Sequence, residues 1–444
     1  MIAYRGLKVA LLGAGSVGSQ VARLLLGQGE ELASRVGAPL ELVGIAVRDL
    51  DAARDVELPR ELLTTDASSL ILSADIVVEL MGGIEPARSH VLQALNSGAD
   101  VITGNKALLA THGRELFEAA EQVGAQLYYE AAVGGAIPII RPLRDSLAGD
   151  QVTRILGIVN GTTNFVLDRM DTFGDSLETA LALATELGFA EADPTADIGG
   201  YDAAQKAAIL ASLAFHTTVP LESVHREGIT GITLEQVNEA RRAGYVVKLL
   251  AICERLTDAG SGETGVSARV YPALVPRDHP LAAVHGGNNA VFVQAAAAGD
   301  LMFYGAGAGG LQTASAVLGD VVSAARRHVA GGPGVAESTH ANLPILPISS
   351  ITTRYQITLH VVDEPGVLAR IAQVFSDHGV SVETLVQSAA IDRSAPGEPP
   401  APATATLVIG THQASEAALA ATVAALRESD AVSAIASVLR VEGA

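Results

Sequence analysis

From Lys8 to Tyr129, short unbroken apolar runs alternate with stretches whose apolar positions recur at helical spacing. Lys8 to Leu12 reads as a buried strand, and beyond a run of glycines Val17, Val21, Leu24 and Leu25 fall on one helical face. Leu40 to Val47, Ile76 to Leu80, Val101 to Thr103 and Gln126 to Tyr129 predict further strands. Helices over Ala87 to Asn96 and Leu108 to Gln122 fall between them. Strand alternating with helix is the pattern of a parallel sheet with helices on its faces, so an α/β Rossmann domain is expected over 1–134.

After Glu130 the pattern changes. Val152 to Val159 is strand-like, and Ser176 to Leu187, Tyr201 to Phe215 and Leu234 to Arg242 are helical. Residues 246–303 mix strand-like runs with polar connections, which predicts an α+β domain over 135–310. The glycine-rich run Gly305 to Gly310 precedes a helix, Ala314 to Val329, expected to return to the first domain as part of 311–330. Gly331-Gly332-Pro333-Gly334 marks a boundary, and 340–353, with Pro344 and Pro347, reads as an extended linker. Residues 354–444 then run strand, helix, strand, strand, helix, strand, a ferredoxin-like βαββαβ order interrupted by a Pro-rich loop from Ala395 to Ala403.

A chain of 444 residues is too long for one core and accommodates two or three domains. With 49% hydrophobic and 18% charged residues, general disorder is excluded. A net charge of −20, with no cluster of Lys or Arg to reverse it locally, argues against nucleic acid or anionic lipid as a partner. Cys253 is the only cysteine and cannot form an intramolecular disulfide, which fits a reducing compartment. The N-terminal apolar run is broken by Gly13, Gly15 and Gly18, and no uninterrupted stretch of about 18 apolar residues occurs. A cytoplasmic protein without a membrane partner is expected.

The first chemical signal is Gly13-Ala14-Gly15-Ser16-Val17-Gly18, between a strand and a helix. Its glycines permit a tight turn, close backbone approach to a pyrophosphate, and close helix–strand packing. The helix N-terminus offers unpaired N–H groups to phosphate. At the end of the second strand, Arg48 stands where an acidic residue would take the ribose hydroxyl of NAD. A guanidinium there suits the 2′-phosphate of NADP, although Asp49 and Asp51 follow directly and a solvated strand-end arginine is the alternative. Lys106 follows a strand at the carboxyl edge of the expected sheet, where ligands bind, or is a solvated helix-start lysine. Between Gly188 and Lys206 lies the densest polar stretch of the middle region, with Glu191, Asp193, Asp197 and Asp202. Asp202 and Lys206 are four apart and share one face of an otherwise Ala- and Leu-rich helix. A lysine near carboxylates in a partly dry cleft can protonate a nascent alkoxide, and carboxylates can hold a substrate ammonium. A surface ion pair is the bland alternative.

Taken together, GAGSVG, TGNKALLA, YEAAVGGAIPII, GIVNGTTNFVL, EADPTADIGGYDAAQK and GAGAGGLQTASAVLGD resemble homoserine dehydrogenases in order and approximate spacing, over residues 6 to about 340. The resemblance implies interconversion of L-homoserine and L-aspartate 4-semialdehyde with NADP, or with NAD. It makes Lys206 the proton donor and acceptor, with Asp202 beside it. Glu191, Asp197 and Asp202 become substrate ligands, and Lys106 falls between nicotinamide ribose and substrate. Gly13, Gly15, Val17, Gly18, Arg48, Gly188 and Gly305 line the cofactor. It further implies a sodium ion on backbone carbonyls of a segment that Glu130, Val133, Gly135 and Ile137 match, and a homodimer or homotetramer. Gly104 departs from the family pattern, where alanine is commoner. Residues 354–444 resemble an ACT domain, with Asp363-Glu364-Pro365-Gly366 at its first strand–helix turn. That implies an amino-acid effector, most naturally threonine, with a ligand-free assembly module as the alternative.

Overall fold

The strand and helix patterns resolve into two sheets in the computed structural model, which describes residues 4–258, 261–332, 339–389 and 404–443. The Pro-rich loop from Ala395 to Ala403, and Pro333 and Gly334 of the expected boundary, lie outside the described residues. The first part runs β1 (Leu7–Leu12), α1 (Ser16–Gly27), α2 (Gly29–Val36), β2 (Leu40–Ala46), β3 (Leu63–Thr64), α3 (Ala67–Leu72), β4 (Ile76–Glu79), α4 (Ala87–Asn96), β5 (Asp100–Thr103), α5 (Lys106–Val123) and β6 (Leu127–Tyr128). Its six strands are all parallel, in the order β3-β2-β1-β4-β5-β6. Alternate β1 residues feed opposite cores: Val9 and Leu11 pack with α1, Ala10 and Leu12 with α4 and α5. The strand order reverses between β1 and β4, and ligands bind in the crevice at the carboxyl ends there.

The middle part begins with β7 (Val152–Ile158), α6 (Gly161–Phe173), α7 (Leu177–Glu186), α8 (Thr195–Ile198), α9 (Tyr201–Phe215), β8 (His225–Arg226) and α10 (Leu234–Arg242). Two antiparallel hairpins follow, β9 (Tyr245–Thr257) with β10 (Thr264–Pro276), and β11 (Asn288–Ala295) with β12 (Gly299–Ala306). The sequence pattern misses α6, because Thr162 to Leu167 are all buried and no polar face alternates with an apolar one. Ala203, Ala204, Ala207, Ala208 and Ala211 let α9 lie close over the sheet. The closing helix α11 (Gly310–Ala330) shares a core with α1: Ala314, Val317 and Val321 meet Val9, Val21 and Leu25.

The last part is β13 (Thr352–Val362), α12 (Val367–Asp377), β14 (Val382–Ala389), β15 (Thr404–Thr411), β16 (Ala414–Ser415), α13 (Glu416–Arg427) and β17 (Val432–Val441). The four long strands stand in the ferredoxin-like order β14-β15-β13-β17.

The expected linker 340–353 is not free of the middle strands. The chain before β13 pairs with β10, Val266 N–H donating to Pro344 O at 2.9 Å and Leu346 N–H to Val266 O at 2.8 Å. The strand β17 also joins β10 in parallel, Arg440 opposite Ala273 and Val441 opposite Leu274, so the middle and C-terminal strands form one sheet. A strand edge presents a row of unpaired backbone groups, and here each part covers the other's edge.

Candidate active site

The glycine turn after β1 takes its shape from backbone contacts. Gly13 has φ 99°, and a Cβ there would lie 2.7 Å from Leu80 O; one on Gly18 would lie 2.1 Å from Gly13 O. These two glycines make the turn and the helix packing possible, while Gly15 faces open space, leaving room for a phosphate. Val17, in the first turn of α1, is partly buried in the core beneath. The N-terminus of α1 has no side-chain cap, and a second helix start comes beside it, with a Cβ on Gly310 of α11 falling 2.6 Å from Ser16 O. Two positive dipole ends therefore converge on one spot. Arg48 is exposed beyond β2, and no hydrogen bond or ion pair holds it among the described residues. The nearby acids are engaged locally, Asp51 with Arg60 at 2.7 Å and Asp49 as acceptor from the Asp51 N–H.

The carboxyl ends of β4 and β5 are tied together. The buried Glu79 carboxylate accepts from Met81 N–H at 2.7 Å and the Thr103 hydroxyl at 2.6 Å, and Asn105 Nδ2 donates to Gly83 O at 2.6 Å. Asn105 also caps α5, accepting from Leu108 N–H, which fixes Lys106 at the helix start. A Cβ at Gly104 would meet Leu80 Cδ2 at 3.1 Å, so an alanine there needs only a small side-chain adjustment.

Lys106 pairs with Asp202, whose other oxygen pairs with Lys206 at 2.8 Å. Asp202 and Lys206 are 6% and 8% exposed, so this is no surface ion pair. Lys206 Nζ also donates to Val159 O at 2.6 Å. An ammonium carries three donors, and two are committed here. Asn160, at the end of β7, donates to Asp197 Oδ1 at 2.7 Å and Asp202 Oδ2 at 3.0 Å while its own carbonyl caps α6. Burial pushes the Lys206 ammonium well below the usual lysine range, reinforced by the charge of Lys106 and opposed by Asp202. Asp202 is held well below the usual carboxylate range: burial opposes this, but the two lysines prevail. Asp197 is raised by burial, with Asn160 opposing.

Of the residues expected from sequence, Lys106, Asp197, Asp202 and Lys206 come together. Glu191 stands exposed before α8, without a hydrogen bond or ion pair among the described residues. Gly188, at φ 78°, closes α7, and Gly305 on β12 packs against Ile137, a Cβ there falling 3.4 Å from Ile137 Cγ1. The segment containing Glu130, Val133, Gly135 and Ile137 is an irregular turn with Gly135 at φ 62°. The Glu130 carboxylate is saturated by the N–H groups of Ile139, Ile140 and Arg141 and by Arg141 Nε, so a cation here would fall to carbonyl oxygens. Sequence reasoning missed Glu79, Asn160 and Asp320. Glu79 carries no signal, being one carboxylate at a strand end. Asn160 before Gly161-Thr162-Thr163 is a helix-cap pattern that could have been found. Asp320 accepts from Glu130 N–H at 2.9 Å, and burial pushes its carboxyl up to about 7.

The geometry is that of a dinucleotide crevice opening onto a buried lysine–aspartate cluster. The family model described as "Homoserine dehydrogenase, NAD binding domain" matches residues 13–130, "Homoserine dehydrogenase" matches 138–322 and "ACT domain" matches 355–429. A homoserine dehydrogenase of Corynebacterium glutamicum is 53% identical over 436 residues, covering 98% of this chain and 95% of its own. The crystal structure of a homoserine dehydrogenase from Thiobacillus denitrificans superposes with a TM-score of 0.88 at 37% identity, covering 98% of both chains. A hyperthermophilic archaeal homoserine dehydrogenase in complex with NADPH matches 74% of this chain and 99% of its own at 27% identity and a TM-score of 0.60.

Proposed function

The chain belongs to the homoserine dehydrogenase family, NAD(P)-binding oxidoreductases, and from that premise we propose that Lys206 moves the proton in the interconversion of L-homoserine and L-aspartate 4-semialdehyde. The observation that carries this reading is the buried Lys206 ammonium, two of whose three donors are fixed by Asp202 and Val159 O. The third is left for a substrate oxygen. In homoserine oxidation the hydroxyl proton passes from oxygen to neutral Lys206 as a hydride leaves the carbon bearing that hydroxyl; in reduction Lys206 returns the proton to the alkoxide. The dinucleotide supplies the hydride acceptor or donor at its nicotinamide ring. Asp202, Asp197 and Glu191 offer carboxylates to the substrate ammonium, and Lys106 bridges substrate and nicotinamide ribose. Homoserine-dependent reduction of each dinucleotide, followed by nicotinamide absorbance, tests the activity; no turnover with either would overturn it.

NADP is the preferred cofactor in this reading, because Arg48 is an exposed cation whose acidic neighbours are already engaged. The sites for the dinucleotide are Gly13, Gly15, Val17, Gly18, Arg48, Lys106, Gly188 and Gly305. Arg48→Ala is expected to raise KM for NADP about tenfold, the loss of one charge-assisted phosphate contact, and to leave KM for NAD nearly unchanged. Equal weakening of both would take Arg48 out of the preference. A sodium ion would be held by the carbonyls of Glu130, Val133, Gly135 and Ile137, where it would brace the turn against β12.

The division we propose is a cofactor domain over 1–134 joined by the return helix 311–330, a substrate domain over 135–310, a connection over 340–353 and an ACT domain over 354–444. Assembly as a homodimer or homotetramer follows from the family likeness, and Met302 and Tyr304 stand exposed on edge strand β12. Among the described residues no helix is long and apolar enough to cross a membrane. Threonine is the expected effector of the ACT domain. Gly366, at φ 92°, opens α12 without a side-chain cap, leaving N–H groups for a ligand carboxylate. Calorimetry on the full chain should show threonine binding, weakened by saturating homoserine because coupling is reciprocal. Absence of binding by threonine, isoleucine and methionine would leave an assembly module.

A further inference from the structure

We infer that Arg226 is a positioning residue for the catalytic helix and that Glu227 ties it to the last strand of the ACT domain. This rests on the reading of Asp202 and Lys206 above. The first turn of α9 has no side-chain cap, its N-cap being Gly200 at φ 78°. The 225–229 segment lies across that turn instead. Ile229 N–H donates to Ile198 O at 2.8 Å, and a Cβ on Gly228 would fall 2.2 Å from the same oxygen, so the two backbones touch. Arg226 Nη1 donates to Gly199 O, and its guanidinium lies 3.5 Å over the Tyr201 ring. Both partners flank Gly200, and Asp202 is the next residue.

The other side of the same segment is held by the sheet and the C-terminal domain. The strand β8 pairs in parallel with β10, and Glu227 N–H donates to Val270 O at 2.7 Å. The Glu227 carboxylate takes His225 Nε2 at 2.8 Å and Arg440 Nη1 at 2.9 Å. Arg440, on β17, is fixed in turn by Glu416 at 2.6 Å and by the face of Tyr271. A bonded path therefore runs from Glu416 and Arg440 through Glu227 and Arg226 to the turn preceding Asp202. An effector that shifts β17 has a physical route to the carboxylate that pairs with Lys206. A contiguous path becomes coupling only when perturbations along it prove non-additive.

The test compares pH profiles of kcat for homoserine oxidation in the full chain with R226M, R226K, E227Q and the R226M/E227Q double variant, alongside amide exchange of residues 199–206. Releasing the clamp loosens the first turn of α9 and moves the Asp202 carboxylate from Lys206, whose remaining charged neighbours are Lys106 and Asp197 beside Val159 O, and so lowers the proton affinity of Lys206. R226M is expected to reduce kcat about tenfold, as a fraction-of-an-ångström misplacement does, and to move the alkaline-rising limb to lower pH. R226K should recover only part of this, since an ammonium cannot stack as a guanidinium does. E227Q, at a half-exposed position that tolerates a neutral isostere, should shift the limb in the same direction but less. The double variant should be no worse than R226M, and exchange should rise in all four. Additive losses, or unchanged exchange at 199–206 in R226M and E227Q, would overturn the clamp. Faster exchange with an unmoved limb would uphold the clamp and sink the role of Lys206.

Discussion

Replacing Lys206 with alanine is expected to lower kcat by about 10²- to 10⁴-fold, the range for removal of a general acid–base, while dinucleotide affinity stays within about twofold. The methyl group leaves Asp202 paired with Lys106 and does not touch the glycine turn after β1, so cofactor binding has no reason to change. What disappears is the buried amine that pairs with Asp202 and donates to Val159 O. The pH dependence tests the assignment. Burial holds Lys206 below the usual lysine range, so the neutral amine needed to accept the hydroxyl proton forms at lower pH than for a free lysine. Homoserine oxidation should therefore rise with pH through that lowered value, and aldehyde reduction should fall through the same value. Both limbs should vanish in Lys206→Ala. Near-normal turnover, measured at saturating homoserine and dinucleotide, would remove Lys206 from the mechanism.

Glu442→Leu is expected to destabilise the folded chain by about 3–5 kcal/mol, the cost of stripping one partner from a buried ion-pair network. Glu442 is 3% exposed and accepts from both Arg154 and the Tyr271 hydroxyl. Arg269, fully buried, donates to Tyr271 at 3.1 Å and pairs with Glu254 at 2.6 Å. Four charges balance in this cluster: Arg154 and Arg269 against Glu254 and Glu442. Removing Glu442 leaves a net positive charge in a largely buried seam beside β10 and β17. Glu442→Gln keeps the shape and some hydrogen bonding and should lose less. Chemical denaturation of the three proteins would decide; a loss under about 1 kcal/mol for the leucine variant would mean the seam is solvated like a surface pair. The same seam predicts that a chain cut before the ACT domain exposes the edge of β10 and aggregates. Escape from an effector is therefore best sought with point variants of the full chain.

Local rules made much of this legible in advance. Short apolar runs and period-3.6 patterns located five of the six strands of the parallel sheet and most helices, because strands covered on both faces are apolar throughout and helices bury one face. The two-residue β3 is too short to leave a pattern. The glycine turn announced itself because only glycine fits where a Cβ would lie 2.1 Å from a carbonyl oxygen. The spacing of Asp202 and Lys206 placed them on one face of a helix. Four-residue spacing carries no information on burial, however, so the choice between a surface pair and a buried one awaited the packing of α9 against the sheet. Tertiary structure alone decided that Lys106, nearly a hundred residues earlier, completes the cluster. The placing of Asn160 between two carboxylates, and the merging of the C-terminal strands with the middle sheet, also depended on tertiary structure. Those outcomes depend on which sheet edges meet and which charges are enclosed, properties of three-dimensional packing that no local stretch of sequence encodes.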